Sequence, residues 1–190
     1  NLDLSVVERG IEGTGDGHIT LDIANLTAGT KGIEMRDPDS TFNEVIIEMT
    51  SSDSTAIDIL DGNHQWSTVS ASKAYVAQDT SSVGLAAWYT DIDATSFSLL
   101  NFGNGILANH AEITGSTFSI QDGKGIGIGL EHSSLSTDSL NTRVYPEGVI
   151  LDKTSHLHIS DWTAATHTTP LSISTSSSAT IRNFQPQNTQ

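Results

Sequence analysis

A phrase made of a glycine, a short apolar run, a polar corner and a second alternating run recurs along this chain, as in GNGILANHAEITGSTFSI at 103–120. Its opening apolar residue is Ile11, Ile33, Ile57, Leu85, Ile106, Ile126, Val149 and Leu171, at intervals of 20–28 residues. Gly10, Gly32, Gly84, Gly105, Gly125 and Gly148 stand directly before six of these, and Ala56 and Pro170 fill the other two places. Two residues further on come Gly13, Met35, Ile59, Ala87, Ala108, Ile128, Leu151 and Ile173. A second apolar pair follows in most units: Leu21/Ile23, Val45/Ile47, Val69/Ala71, Phe97/Leu99, Phe118/Ile120, Leu157/Ile159 and Ala179/Ile181. The sixth unit offers only Leu135 and Leu140. A spacing of two within each pair is the period of a β-strand.

One such unit cannot bury its own apolar face. Stacked units can, because parallel strands about 4.8 Å apart turn the inward residues into continuous columns. The pattern therefore predicts an all-β chain, a right-handed parallel β-helix of about eight coils over residues 1–184, followed by a polar C-terminal tail at 185–190. A β-sandwich of short strands is the competing fold. Helical solenoids need a 3.6-residue period and leucine-rich repeats need their own leucine and asparagine pattern, and neither is present.

Composition narrows the partners. The 23 acidic residues outnumber the 8 basic ones, giving a net charge of −15. Nucleic acid and anionic membrane surfaces, which both require basic residues, are excluded as expected partners. There are no cysteines, so disulfides and thiolate metal sites do not arise. The opening NLDLSVVERG has no initiator methionine and no leader pattern, which reads as a piece of something larger. Solenoid ends need covering, so flanking domains or partner chains are expected there.

In a packed solenoid, function falls to outward positions and to loops leaving the corners. The 28-residue interval from Ile57 to Leu85 is the longest and carries Trp66 and Tyr75. With Leu85, Ala87 and Ile92 inward, Trp88, Asp91 and Asp93 point out. The two aspartates are then roughly 6.5–7 Å apart along one strand, near the separation of paired glycosidase carboxylates. Aromatic rings stack on sugar C–H faces and carboxylates accept from sugar hydroxyls. Trp66, Tyr75, Trp88, Asp91 and Asp93 are thus the candidate carbohydrate-binding residues. For hydrolysis, Asp91, Asp93, Glu112 and Glu131 are the candidate general acids and bases.

Other clusters are less specific. Glu12, Glu34 and Asp58 stack in the first outward column and require compensation, by Arg9 and Arg36 or by Ca²⁺. That column continues as Leu107, Gly127 and Ile150, aliphatic residues that suggest a face covered by another chain. His156 and His158 share a face, as do His110 and Glu112, without a third metal ligand. GKGIGIG at 123–129 lacks the helix and Lys-Ser/Thr pair of a phosphate loop and reads as a strand. No metal site is assigned, and no cofactor beyond the possible Ca²⁺.

With its coils written as GNGILANHAEITGSTFSI and EGVILDKTSHLHISDWT, the chain resembles the β-helical bodies of phage tailspikes and tail fibres, within the pectate-lyase-like superfamily. The resemblance spans residues 10–184. It implies a homotrimer on the virion tail or otherwise extracellular, adhering to the host by binding bacterial surface polysaccharide. An alternative is a depolymerase, a glycoside hydrolase or lyase, cleaving that glycan. A second alternative is a structural shaft or a bacterial surface adhesin without a site of its own.

Overall fold

A computed structural model of the chain describes residues 2–74, 79–174 and 176–187. Fifteen strands and no helix occur among the described residues. In chain order they are β1 (Leu2–Thr14), β2 (His18–Arg36), β3 (Asp39–Met49), β4 (Thr55–Leu60), β5 (Asn63–Lys73), β6 (Val83–Trp88), β7 (Asp91–Leu100), β8 (Asn104–Asn109), β9 (Glu112–Gln121) and β10 (Ile126–Glu131). Then follow β11 (Ser134–Arg143), β12 (Glu147–Asp152), β13 (His156–Ala165), β14 (Thr169–Ile173) and β15 (Ser178–Gln187). All pairings are parallel, and each strand pairs with its equivalent one coil away. The fold is a parallel β-solenoid of about eight turns. β2 belongs to both sides: His18–Ala28 pairs with β3, whereas Lys31–Arg36 pairs with β4.

Each coil supplies three inward pairs. In the coil of β6 and β7 these are Leu85/Ala87, Ile92/Ala94 and Phe97/Leu99, all buried. Strict alternation breaks once, where Thr95 and Ser96 both lie outside the core and the long strand rounds a corner. The expected first column is present as Ile11, Ile33, Ile57, Leu85 and Ile106, then Ile128, Val149 and Leu171. Coil six thus differs from expectation by two residues. Ile126 pairs with Glu147 and is only half-buried, while Ile128 and Leu130 face inward. The outward position there is Gly129, not Gly127.

The second pair also needs correction at its ends. Val45 pairs with Ala24, so the first coil contributes Ala24/Leu26, and Ile23 is left exposed. Leu157/Ile159 align with Ile92/Ala94, and the residues aligned with Phe97/Leu99 are Trp162/Ala164. A strand with two inward pairs three residues apart offers two equally good period-2 readings. β15 runs to Gln187 in register with β13, so residues 185–187, expected in the tail, are paired.

Two corners repeat in left-handed backbone conformation. After each short strand the turn residue is Asp37, Asp61, Tyr89, His110, His132 or Lys153, with φ between 47° and 77°. This region costs a non-glycine residue about 1 kcal/mol or more. The geometry recurs because five of these six turn amides find a carbonyl on the next coil, as Tyr89 N donates to Asn109 O at 3.0 Å and His110 N to Glu131 O at 3.0 Å, whereas Lys153 N donates to Asp152 Oδ1 at 2.9 Å.

The glycine before the first column answers to space. An added Cβ at Gly105 would lie 2.3 Å from the Gly127 carbonyl oxygen, and one at Gly127 would lie 2.5 Å from that of Gly148. Coil stacking leaves no room for a side chain at either position.

Candidate functional site

The outward residues of β5, β7, β9, β11, β13 and β15 form columns by register. One runs Asn63, Asp91, Glu112, Ser134, His156 and Ser178, and the next runs Gln65, Asp93, Thr114, Ser136, His158 and Thr180. Asp91 and Asp93 both point outward on β7, as expected. Glu112 sits one coil beyond Asp91, about 4.8 Å away along the axis.

Three hollows lie over these columns. One of about 270 Å³ is lined by Asn63, Gln65, Asp91, Asp93, Glu112 and Thr114, with His64 in its wall. A second, of about 430 Å³, shares Asp93 and Thr114 and adds Ser136, Asp138, His158 and Arg182. A third, of about 380 Å³, shares Asp91 and Glu112 and reaches the corner at His110, His132 and His156. Shared walls make them one groove that crosses six strands, roughly 24 Å at the parallel-strand spacing. Asp91, Asp93 and Glu112 are exposed on it. Thr114 Oγ1 donates to Asp93 at 3.2 Å, tying two coils together across the groove.

Along the corner, Tyr89 stacks on His110 with centroids 4.8 Å apart, and His110 stacks on His132 at 4.5 Å. These rings stack because their corner positions repeat at coil spacing. Tyr89 is 58% exposed.

Beneath the groove, His64 is buried and both of its ring nitrogens have partners. Nδ1 lies 2.9 Å from Ser40 Oγ and Nε2 lies 3.1 Å from Asp61 O. Trp66 Nε1 donates to the same Ser40 Oγ at 3.1 Å. The Asp61 carbonyl can only accept, so Nε2 carries the proton and Nδ1 accepts from the Ser40 hydroxyl. Burial pushes the His64 imidazole below the usual histidine range, and this is the neutral form the hydrogen bonds require.

The predicted residues divide between different environments. Trp66 is not in a groove: it is 3% exposed and stacks on Phe42 at 5.4 Å and on Phe97 at 5.9 Å. Its place is fixed by β5 alternation, which turns His64 and Trp66 inward together. Tyr75 lies outside the described residues. Trp88 is 37% exposed but sits around the corner from Asp91 and Asp93, on the short-strand face. There it lines a separate apolar hollow with Leu107, Ile126, Ile150 and Glu131. Glu131 is therefore separated from the other three candidate carboxylates, and its ion pair with Lys153 holds it below the usual carboxylate range.

The carboxylate stack is compensated by basic side chains. Arg36 bridges Glu34 and Asp58, each at 2.9 Å, Lys31 contacts both, and Arg9 reaches Glu34 at 3.4 Å. Burial works against charge on Asp58, yet Arg36 and Lys31 hold its carboxyl below the usual range. Lys31, three residues before Glu34, reaches both Glu34 and Asp58 with its long side chain, a contribution absent from the sequence expectation. Among the described residues, no group of three or more histidine or carboxylate side chains is arranged to hold a metal ion.

Sequence reasoning also missed Asn63, Gln65, Ser136, Asp138 and Arg182. The available signal was the repeat itself, since adding one coil length to Asp91 or Asp93 reaches their groove neighbours. Comparison of the chain with protein-family models, curated protein sequences and solved structures finds no match.

Proposed function

We propose that the chain is a right-handed β-helical segment of a viral tailspike or tail fibre, homotrimeric, which recognises a bacterial surface polysaccharide along this groove. The observation that carries the reading is the continuity of the three hollows across six strands. An open channel of carboxylates, amides and hydroxyls suits an extended polyhydroxylated chain, whose hydroxyls donate to Asp91, Asp93 and Glu112 and accept from Ser136, Asn63 and Gln65. Parallel crossovers are right-handed in nearly all proteins, which supports that hand for the coil.

Binding is favoured over cleavage because Asp91, Asp93 and Glu112 are all exposed. A glycosidase acid needs a carboxyl kept protonated by a water-poor pocket. Incubation with capsular and lipopolysaccharide preparations, followed by size chromatography, tests the reading. Co-elution of the protein with one intact polymer supports it. Shortening of a polymer would assign the depolymerase instead, and neither effect would leave a shaft.

A further inference from the structure

The histidines are unevenly placed. Of seven in the chain, His110, His132 and His156 line the corner end of the groove, His158 lines its far end, and His64 lies in its wall. His18 shares the Asp91 column at the first coil, through Asp39 and Asn63. Only His167 belongs to another part of the solenoid, 2.7 Å from Tyr145 O.

The fixed charges of the groove are few. Its walls hold the carboxylates Asp91, Asp93, Glu112 and Asp138 against the single guanidinium of Arg182. At the corner, Glu131, Asp152 and Lys153 also face His132 and add one net negative charge. At neutral pH the groove is therefore negative, on a chain of net charge −15, and repels an anionic polymer. Histidine is the side chain that gains charge between pH 8 and pH 5. Protonation of His110, His132, His156 and His158 would give six cations, with Arg182 and Lys153, against the six carboxylates of the groove and its corner, and so remove the net negative charge that repels an anion. The stacked pair His110 and His132, 4.5 Å apart, would then repel each other and favour an anion beside them.

We propose that the groove is a pH-set charge selector: it takes uncharged glycan segments at neutral pH and gains affinity for carboxylate-bearing sugars, uronates or sialates, in mild acid. This rests on the glycan-binding reading above and adds the ligand charge and its regulation. His64 takes no part, because its neutral hydrogen-bonded form keeps it in the core.

The test uses the full chain in low salt at pH 7.5 and pH 5.5, titrated with tetragalacturonate and with uncharged maltotetraose. The variant is His110→Asn, His132→Asn, His156→Gln and His158→Gln, with asparagine at the two corner positions because it tolerates their backbone conformation. A double variant, His156→Gln with His158→Gln, leaves the corners untouched and should lose part of the effect. Tetragalacturonate affinity should rise about tenfold or more on acidification in the natural chain, and the rise should shrink in high salt. It should be nearly flat in the fourfold variant, and maltotetraose should change little. No acid-dependent binding of tetragalacturonate, or an equal rise in the variants, overturns the proposal. Failure of the glycan reading has a different signature: no polymer co-elutes at any pH.

Discussion

Lys73 and Asp79 meet at 2.6 Å with both side chains almost wholly inside the solenoid, 1% and 3% exposed. The pair joins the end of β5 to the residues that lead into β6. Asp79 also accepts from the Ser81 and Ser82 amides at 3.1 and 3.0 Å, and Asn101 caps the Lys73 carbonyl at 2.9 Å. Removing one partner strands the other charge, so Lys73→Met or Asp79→Leu should each cost about 3–5 kcal/mol, and the double replacement less than either. Urea denaturation of the three variants checks the ordering.

The same pair sets an acid limit. Burial opposes charge on Asp79, but Lys73 and the Ser82 hydroxyl and amide bring its carboxyl down to about 2. Its folded value lies below the unfolded one, so its contribution is complete above about pH 4 and is lost as pH falls toward 2. That loss should be on the order of 2 kcal/mol, and a pH series on Asp79→Asn should lack it.

His64 acts in a different window. Its value is depressed in the folded state, so its support for the fold is intact above the unfolded value of about 6.5 and is lost as pH drops below it. The denaturation midpoint should therefore fall between pH 7 and pH 5. His64→Phe should flatten that slope even if it lowers stability throughout, and an unchanged slope would show that the lost protonation site is elsewhere.

Coil contact at the glycine column predicts a steric penalty. Gly105→Ala would place its Cβ 2.3 Å from both the Gly127 oxygen and Ile120 Cγ2. A cost of about 1–3 kcal/mol is expected, read as a lower melting temperature. At Gly17, where an added Cβ meets nothing within 4 Å, the alanine variant should be nearly neutral.

The proposed homotrimer should sediment at three times the 20.2 kDa chain mass. If copies meet through the apolar short-strand face, Leu107→Asp and Ile150→Asp should dissociate them while the groove remains intact. A monomer at every concentration contradicts the trimer.

The solenoid was legible because stacking repeats one steric demand in most coils: glycine, then two inward apolar residues. The exceptions have physical causes. GKGIGIG offers two glycine–isoleucine phases two residues apart, and only pairing with Ile106 and Val149 selects Ile128. Trp66 reads as a loop aromatic until β5 is seen to continue through it. The aspartates of the groove were visible from alternation within β7. Their neighbours were less so, since Ser136 and Arg182 come from other coils and ordinary polar residues carry no local signature.

The most direct test of the central claim is a chemical-shift map of the ¹⁵N-labelled chain with an oligosaccharide cut from whichever polymer co-elutes. The account predicts shifts running from Asn63 through Asp91, Asp93 and Glu112 to Ser136 and His158, with the Trp88 face unchanged. Shifts centred on Trp88, Leu107 and Ile150, or scattered without a continuous path, would contradict it.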